Sequence, residues 1–295
     1  MRWPWGTGYI GTPLVKRLLQ SDAIDEVNCL IRTTADSDRF PSRSLLRYSV
    51  GDITQPAAYA GELKQCDTLI HMAAATGKVS KAEHWRVNCE GTKNLVDASV
   101  AAGIRHFIFI SSIAAGYPDN KYYHYAQAKS AAEQYVLNSP LQATVVRPTI
   151  VTGHDAPVTQ GLRKLRMGRL LLLFGTGEVC VQPVSVSDLV EVLHEVTLQQ
   201  PTRQIIEVGG KDVLTLRRFI ECISSPDSKP LIPIPIPLRP ARFLLAMMEP
   251  AISRWLPLTA GQLALFRNNS TAATSDVGST HEFMSLEELV AQCHG

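Results

Sequence analysis

The stretch from Phe107 to Tyr135 constrains the chain most. Phe107-Ile-Phe-Ile110 contains only β-branched and aromatic residues and carries no charge. That composition suits a strand buried on both faces. Two serines, Ser111 and Ser112, stand where such a strand would end, and a short polar loop follows. From Tyr125 onward the sequence is rich in Ala, Gln, Lys and Glu, which predicts a helix. Residues i and i+4 share a helix face, so Tyr125 and Lys129 point the same way.

That arrangement suits proton transfer coupled to hydride transfer. A free tyrosine has a pKa near ~10 and is a poor base at neutral pH. An ammonium group one turn away favours the phenolate, so Lys129 is expected to lower the pKa of Tyr125. A serine hydroxyl across the cleft can bond the same substrate oxygen and hold it in line. A bare Tyr-x3-Lys is weak evidence. The preceding buried strand and its two terminal serines make it specific.

On these residues the chain resembles the short-chain dehydrogenase/reductase superfamily, in the extended or atypical branch that holds epimerases and dehydratases. The resemblance implies a catalytic set of Ser112, Tyr125 and Lys129, with Ser111 nearer the cofactor. It implies an α/β fold, a Rossmann-type doubly wound parallel sheet with a small, mostly helical C-terminal substrate lobe, and a nicotinamide cofactor that Tyr125 and Lys129 also touch.

Near the N-terminus Gly6, Gly8 and Gly11 spell G-x-G-x-x-G, and Thr12 to Gln20 continues as an amphipathic helix. A glycine turn opening a helix lets backbone amides approach a pyrophosphate. Gly8-Tyr9-Ile10-Gly11 closely resembles the family's turn. A strand should precede it, yet only Met1 to Trp5 do, with Pro4 among them. Proline is excluded from central strands, so the expectation is a start further upstream or a mere stub. Trp5 stands where the family usually has another glycine.

Val27 to Ile31 reads as the second strand and ends at Arg32. An acidic residue there would bond a ribose diol, whereas arginine accommodates a 2′-phosphate, so NADP is expected over NAD. Leu46 to Val50 and Thr68 to His71 read as further strands. By resemblance, Asp52 and Ile53 contact the adenine, and Ala73 and Ala74 let backbone pass close to the cofactor. His71 is expected to be structural. Lys81 to Ala102 reads as one long helix with Val87-Asn88-Cys89-Glu90-Gly91-Thr92 inside it. Asn88 is assigned to the cofactor site, and Gly91 to close packing, since a mid-helix glycine costs ~1 kcal/mol. This helix and the Tyr125 helix commonly form a dimer interface in the family, so a homodimer is expected. Ala143 to Val146 reads as a strand, and the Pro148, Thr149 and Ile150 that follow resemble the segment lying against the nicotinamide.

Net charge is +2 and charged residues make up 19%, so no nucleic-acid partner is expected. The six cysteines are scattered, without metal-ligand spacing, so no metal is expected and a reducing cytoplasm is the expected compartment. No apolar run is long enough to span a membrane. Between His154 and Gln182 the basic residues Arg163, Lys164, Arg166 and Arg169 could meet an anionic substrate or form a solvated face. The Ile-Pro repeat within Pro230 to Pro240 is extended, and Arg242 to Trp255 is an amphipathic helix, read as core or domain seam before membrane surface. Residues 1–208 are therefore assigned to the cofactor domain, with 154–182 contributing to the substrate lobe completed by 209–295.

The expected activity is NAD(P)-dependent oxidoreduction or epimerisation of a secondary alcohol or ketone, a nucleotide-sugar being one small-molecule candidate. A dehydratase is disfavoured, because Ile113-Ala114 stand where those enzymes carry Asp-Glu. The alternative is a non-catalytic dinucleotide-binding scaffold or redox sensor.

Overall fold

The computed structural model describes residues 2–4, 8–40, 45–224, 231–252, 258–273 and 281–294. In chain order its elements are β1 (Arg2–Pro4), α1 (Gly11–Leu18), β2 (Val27–Ile31), β3 (Leu46–Val50), α2 (Ala60–Leu63), β4 (Thr68–His71), α3 (Lys81–Trp85), α4 (Gly91–Ala102), β5 (His106–Ile110), α5 (His124–Asn138), β6 (Ala143–Pro148), β7 (Val151–Thr152) and α6 (Pro157–Arg163). Then follow β8 (Arg166–Met167), β9 (Leu170–Phe174), β10 (Cys180–Val181), β11 (Val184–Ser185), α7 (Val186–Leu198), β12 (Gln204–Val208), β13 (Leu214–Thr215), α8 (Leu216–Ser224), β14 (Ile232–Ile236), α9 (Leu238–Ile252) and α10 (Leu286–His294).

Seven strands form one parallel sheet in the order β12-β6-β5-β4-β1-β2-β3. Successive side chains of a strand face opposite ways, and the central strands are apolar on both faces. Ile108 and Ile110 of β5 join Val146 under α1 and α7, beside Leu14, Leu18, Leu189 and Val192. Phe107 and Phe109 join Val145 on the other face, under Leu95 and Val96 of α4 and Ala132 and Val136 of α5. Arg17 of α1 pairs with Glu191 of α7 at 2.8 Å. The sheet is thus doubly wound, and its strand order reverses between β1 and β4, where ligands of such sheets bind at the carboxyl edge.

β1 is a three-residue stub, one of the two outcomes expected from Pro4. The strand lies at the sheet centre, with Arg2, Trp3 and Pro4 opposite Thr68, Leu69 and Ile70 of β4. Towards β2 only Arg2 is paired, with Val27. The conflict is resolved by length: the strand has three residues and Pro4 is its last, so no further β1 ladder bond depends on the missing N–H. Trp5 and Gly6 lie outside the described residues.

The helix read over Lys81 to Ala102 is one helical run interrupted by a π turn at Arg86–Glu90. Gly91 follows that turn, and a Cβ there would meet Ile53 Cγ2 at 2.8 Å.

A second apolar cluster joins Ile150, Leu162, Leu171, Leu173, Val181, Phe219, Ile220, Leu263, Phe266 and Leu289. It underlies α6, α8, α10 and a small sheet of order β14-β9-β8. β14 is the Ile-Pro repeat, parallel to β9. With period 2, the N–H groups of Ile232, Ile234 and Ile236 share one side, while the prolines, which have none, take the open edge. Ile232 N bonds Arg169 O at 2.8 Å. Four basic residues singled out above divide here. Arg163 donates to Ile223 O and Cys293 O, and Arg166 donates to Gly168 O and Ser224 O. Both hold main chain, whereas Lys164 and Arg169 are exposed.

Candidate active site

β5 ends at Ile110, and Ser111 and Ser112 follow at the carboxyl edge. Ser112 caps a short 3-10 turn, its Oγ accepting from Ala114 N at 3.2 Å. The same hydroxyl lies close enough to the Tyr125 phenol to favour its ionised form. The serine and tyrosine are therefore together, the first from a strand end and the second from the start of α5. Tyr125 is half-buried, with the His84 ring edge-on at 6.0 Å and the Tyr123 ring at 5.7 Å. Burial pushes its phenol up to about 12, against the Ser112 hydroxyl, which favours the phenolate.

Lys129 follows one turn along α5. It is 1% exposed, donates from Nζ to Ile110 O at 2.8 Å and sits 4.5 Å from the Phe109 ring centroid. Burial draws its pKa down to about 7, with Glu133 acting the other way. The Tyr125 phenol is raised and not lowered, because its own burial and the Glu133 charge outweigh Ser112. Glu133, one turn beyond Lys129, is bound by Arg147, which also reaches Glu207.

The remaining sites fall on the same edge with distinct roles. Gly8, Tyr9, Ile10 and Gly11 form the turn into α1, and nothing lies within 4 Å of a Cβ built on Gly8. The first turn of α1 has no acidic residue, which leaves its positive end open to an anion. Tyr9 points away from that opening: its hydroxyl lies where a Cβ of Gly153 would be. Ser111 is 4% exposed and its Oγ has no hydrogen-bond partner.

Arg32 is exposed after β2 and lies near Asp52, which follows β3. Burial pushes the Asp52 carboxyl up, but bonds from Thr54 and the charges of Arg86 and Arg32 hold it below its ordinary value. Ile53 is 3% exposed and packs inward. Its side chain occupies the room that Gly91 leaves in the core. Ala73 is buried and Ala74 half-buried after β4.

Asn88 is fully buried. Its Oδ1 accepts from Ala75 N at 2.7 Å and its Nδ2 donates to Ala75 O at 2.9 Å, so it shapes the loop after β4. The π turn sets Asn88 in that position, and such turns are frequent at functional sites. Pro148, the last residue of β6, and Thr149 and Ile150 after it are buried; Thr149 Oγ1 donates to Gln182 O, and Ile150 belongs to the second cluster. His71 is buried, bonds Thr92 at 2.8 Å and stacks on Phe109. Burial and the Lys129 charge keep it neutral.

Two features escaped the sequence reading. His84 packs on Tyr125 and bonds Ala75 O at 3.1 Å; its spacing of four from Asn88 is the trace it leaves in sequence. Asp119, in the loop before α5, takes a bidentate pair from Arg242 of α9 at 2.8 and 2.9 Å and a further pair from Arg267 at 2.6 Å. No sequence spacing announces that contact. Among the described residues no group of three or more His, Cys, Asp or Glu could hold a metal ion, and no helix is long and apolar enough to cross a membrane.

The open space at Gly8, the acid-free start of α1 and the unpartnered Ser111 hydroxyl after β5 fit a dinucleotide. The comparisons agree. The NAD(P)H-binding family matches residues 6–169. UDP-glucose 4-epimerase of Vibrio cholerae is 30% identical over 260 residues, covering 79% of this chain and 77% of that protein. A 3-beta-hydroxysteroid dehydrogenase of Mycolicibacterium neoaurum is 35% identical over 115 residues, 36% of this chain and 30% of its own length. Among solved structures, MoeE5 in complex with UDP-glucose and NAD superposes with a TM-score of 0.69 at 18% identity, over 99% of this chain and 96% of that one; this likeness concerns the fold. The chain belongs to the NAD(P)-binding extended short-chain dehydrogenase/reductase family, the NAD-dependent epimerases and dehydratases.

Proposed function

We propose that the chain is an NAD(P)-dependent oxidoreductase or epimerase acting on a secondary alcohol or ketone. The observation that supports it is the approach of the Ser112 hydroxyl, at a strand end, to the Tyr125 phenol, at a helix start. When bound, the nicotinamide dinucleotide supplies or accepts the hydride. Tyr125 moves the proton, giving it to a carbonyl oxygen in reduction or taking it from a hydroxyl in oxidation. Ser112 holds that oxygen in line. Lys129, fixed by Ile110 O under the site, provides positive charge behind the phenol when protonated. The phenol is protonated at neutral pH, so the free chain is set to act as the acid.

Gly8, Tyr9, Ile10 and Gly11 would cradle the pyrophosphate through main chain, with Gly6 outside the described residues. Ser111, Ala73 and Ala74 would line the cofactor cleft, and the main chain of Pro148, Thr149 and Ile150 its nicotinamide end. Arg32 supports a preference for NADP, since its exposed guanidinium can pair with a 2′-phosphate. Residues 154–182 and 209–295 would form the substrate lobe. UDP-glucose, which one relative's name contains, is the first nucleotide-sugar to try. Pairing of two copies through α4 and α5 and a cytoplasmic setting complete the reading.

The decisive experiment is Tyr125→Phe, assayed for NAD(P)H-linked turnover and for NADPH binding by fluorescence. The expected result is a rate loss of roughly 10²–10⁴ with binding retained. Unchanged turnover would remove Tyr125 from the chemistry.

A further inference from the structure

The outer side of the small sheet and of α9 is apolar and exposed. Register places Ile232 beside Leu170 and Leu170 beside Met167. Residues directly opposite each other in a sheet share a face, and these three are 51%, 39% and 62% exposed. β14 passes through Pro237 into α9, whose Leu238, Ala241 and Leu245 pack on the second cluster. The other stripe of that helix, Phe243, Leu244, Met247 and Met248, faces out. Isolated exposed apolar residues need no explanation, but a four-residue helix stripe and a three-residue sheet row, linked through β14, are two apolar patches on one chain segment and its neighbours.

Charge identifies the occupant. No Asp or Glu occurs in residues 156–177 or 231–248, which supply β8, β9, β14 and the first eleven residues of α9. The same segments carry exposed Lys164, Arg169 and Arg239. Arg169 sits at the tip of the β8–β9 hairpin between Met167 and Leu170. Arg239, at the start of α9, lines a shallow groove with Pro237, Leu238, Pro240 and Arg267. A second copy placed on this face by a two-fold axis would set the patch against itself and bring like charges together. A bilayer surface with acidic headgroups matches both features, taking the apolar stripe into the acyl boundary and pairing the basic residues with phosphates.

We propose that α9 and the β8–β9 hairpin dock the protein on an anionic lipid surface, lying in the interface without spanning it. The intact chain is sedimented with vesicles of phosphatidylcholine alone, and of phosphatidylcholine mixed with phosphatidylglycerol, at low and high salt. It pellets with the mixed vesicles, far less with the neutral ones, and salt weakens the association. Phe243→Ser with Met247→Ser, and separately Arg169→Glu with Arg239→Glu, each reduce partition about tenfold or more. The melting temperature is unchanged, because all four side chains point outward. Failure of the unaltered chain to pellet with the mixed vesicles would overturn the proposal, as would variants that pellet like it. A concentration-dependent dimer that the Phe243/Met247 variant dissolves, without vesicle binding, would give the face to a second copy and overturn it as well.

Discussion

Lys129 Nζ donates to the main-chain oxygen of Ile110 at 2.8 Å, so the lysine buttresses the end of β5 as well as standing one turn from Tyr125. That geometry couples strand position to protonation. Burial lowers the ammonium from 10.5 to about 7, so the unfolded chain binds more protons than the folded one between those values. Stability contributed through this group must therefore rise as pH increases from about 7 towards 10.5. Thermal melts across that range should show the rise in the unaltered chain. In Lys129→Met the rise should be missing, while the shared contributions of other groups remain. Parallel curves for the two proteins would mean that Lys129 keeps an ordinary ammonium.

The Asp119 clamp fixes the loop that delivers Tyr125. Arg242 is 8% exposed and lies 4.9 Å from the Tyr122 ring centroid. The main chain of Asp119 exchanges bonds with the Asn268 side chain. Asp119→Ala leaves a buried guanidinium without its carboxylate, which costs roughly 2–3 kcal/mol for a partly exposed pair. Thermal unfolding should record that loss, and kcat should fall more than the affinity for NADPH. The hydrogen bond from Arg242, chiefly, holds the Asp119 carboxyl below its ordinary value. Its stabilisation is present above the unfolded carboxylate pKa and is lost as pH falls through the lowered one. Acid should therefore narrow the gap between variant and parent. A constant gap into acid would argue against the ion pair as the source.

Most strands of the large sheet and the start of the Tyr125 helix were legible because each rests on local pattern, and the doubly wound arrangement followed from the family resemblance. Uncharged β-branched runs mark strands buried on both faces, and a helical spacing of four places Tyr125 and Lys129 on one side. Three things were not legible. Pro4 could be judged against a central strand, but not the fact that β1 ends on it. Ile53 lay in a segment resembling an adenine contact, yet its direction depends on Gly91, 38 positions later. The Asp119–Arg242 pair spans 123 positions, and nothing local to either residue names the other. Lys129 shows a further limit: sequence supplies the partner on the same helix, whereas its bond is set by how α5 lies on β5.

Arg32 allows a direct test of cofactor choice. A charged hydrogen bond to a 2′-phosphate contributes about 1.5–3 kcal/mol, so Arg32→Ala should weaken NADPH binding at least roughly tenfold and leave NADH nearly unchanged. Fluorescence titration of both dinucleotides against both proteins measures it. Equal losses for the two would assign Arg32 to the fold, and no loss for either would leave NADP without a determinant at this position.

Gly91 and Ile53 set two local effects in opposition. Alanine in place of a mid-helix glycine favours the helix by ~1 kcal/mol. The added Cβ, however, would lie 2.8 Å from Ile53 Cγ2, closer than side chains pack, and 3.5 Å from Arg86 O. Ile53 is 3% exposed with the core around it, so its methyl has little space to yield. Overpacking of this kind costs typically ~1–3 kcal/mol, and we expect it to win: Gly91→Ala should be destabilised by about 1 kcal/mol in denaturant unfolding. Ile53→Ala removes the opposing methyl and opens a cavity. In that background the same Gly91→Ala change should become neutral or stabilising, because only the propensity gain remains. The sign reversal across the double-mutant cycle is the test. Equal effects in both backgrounds would show that α4 shifts to admit the methyl, and that glycine is not required for the packing of β3's loop against the helix.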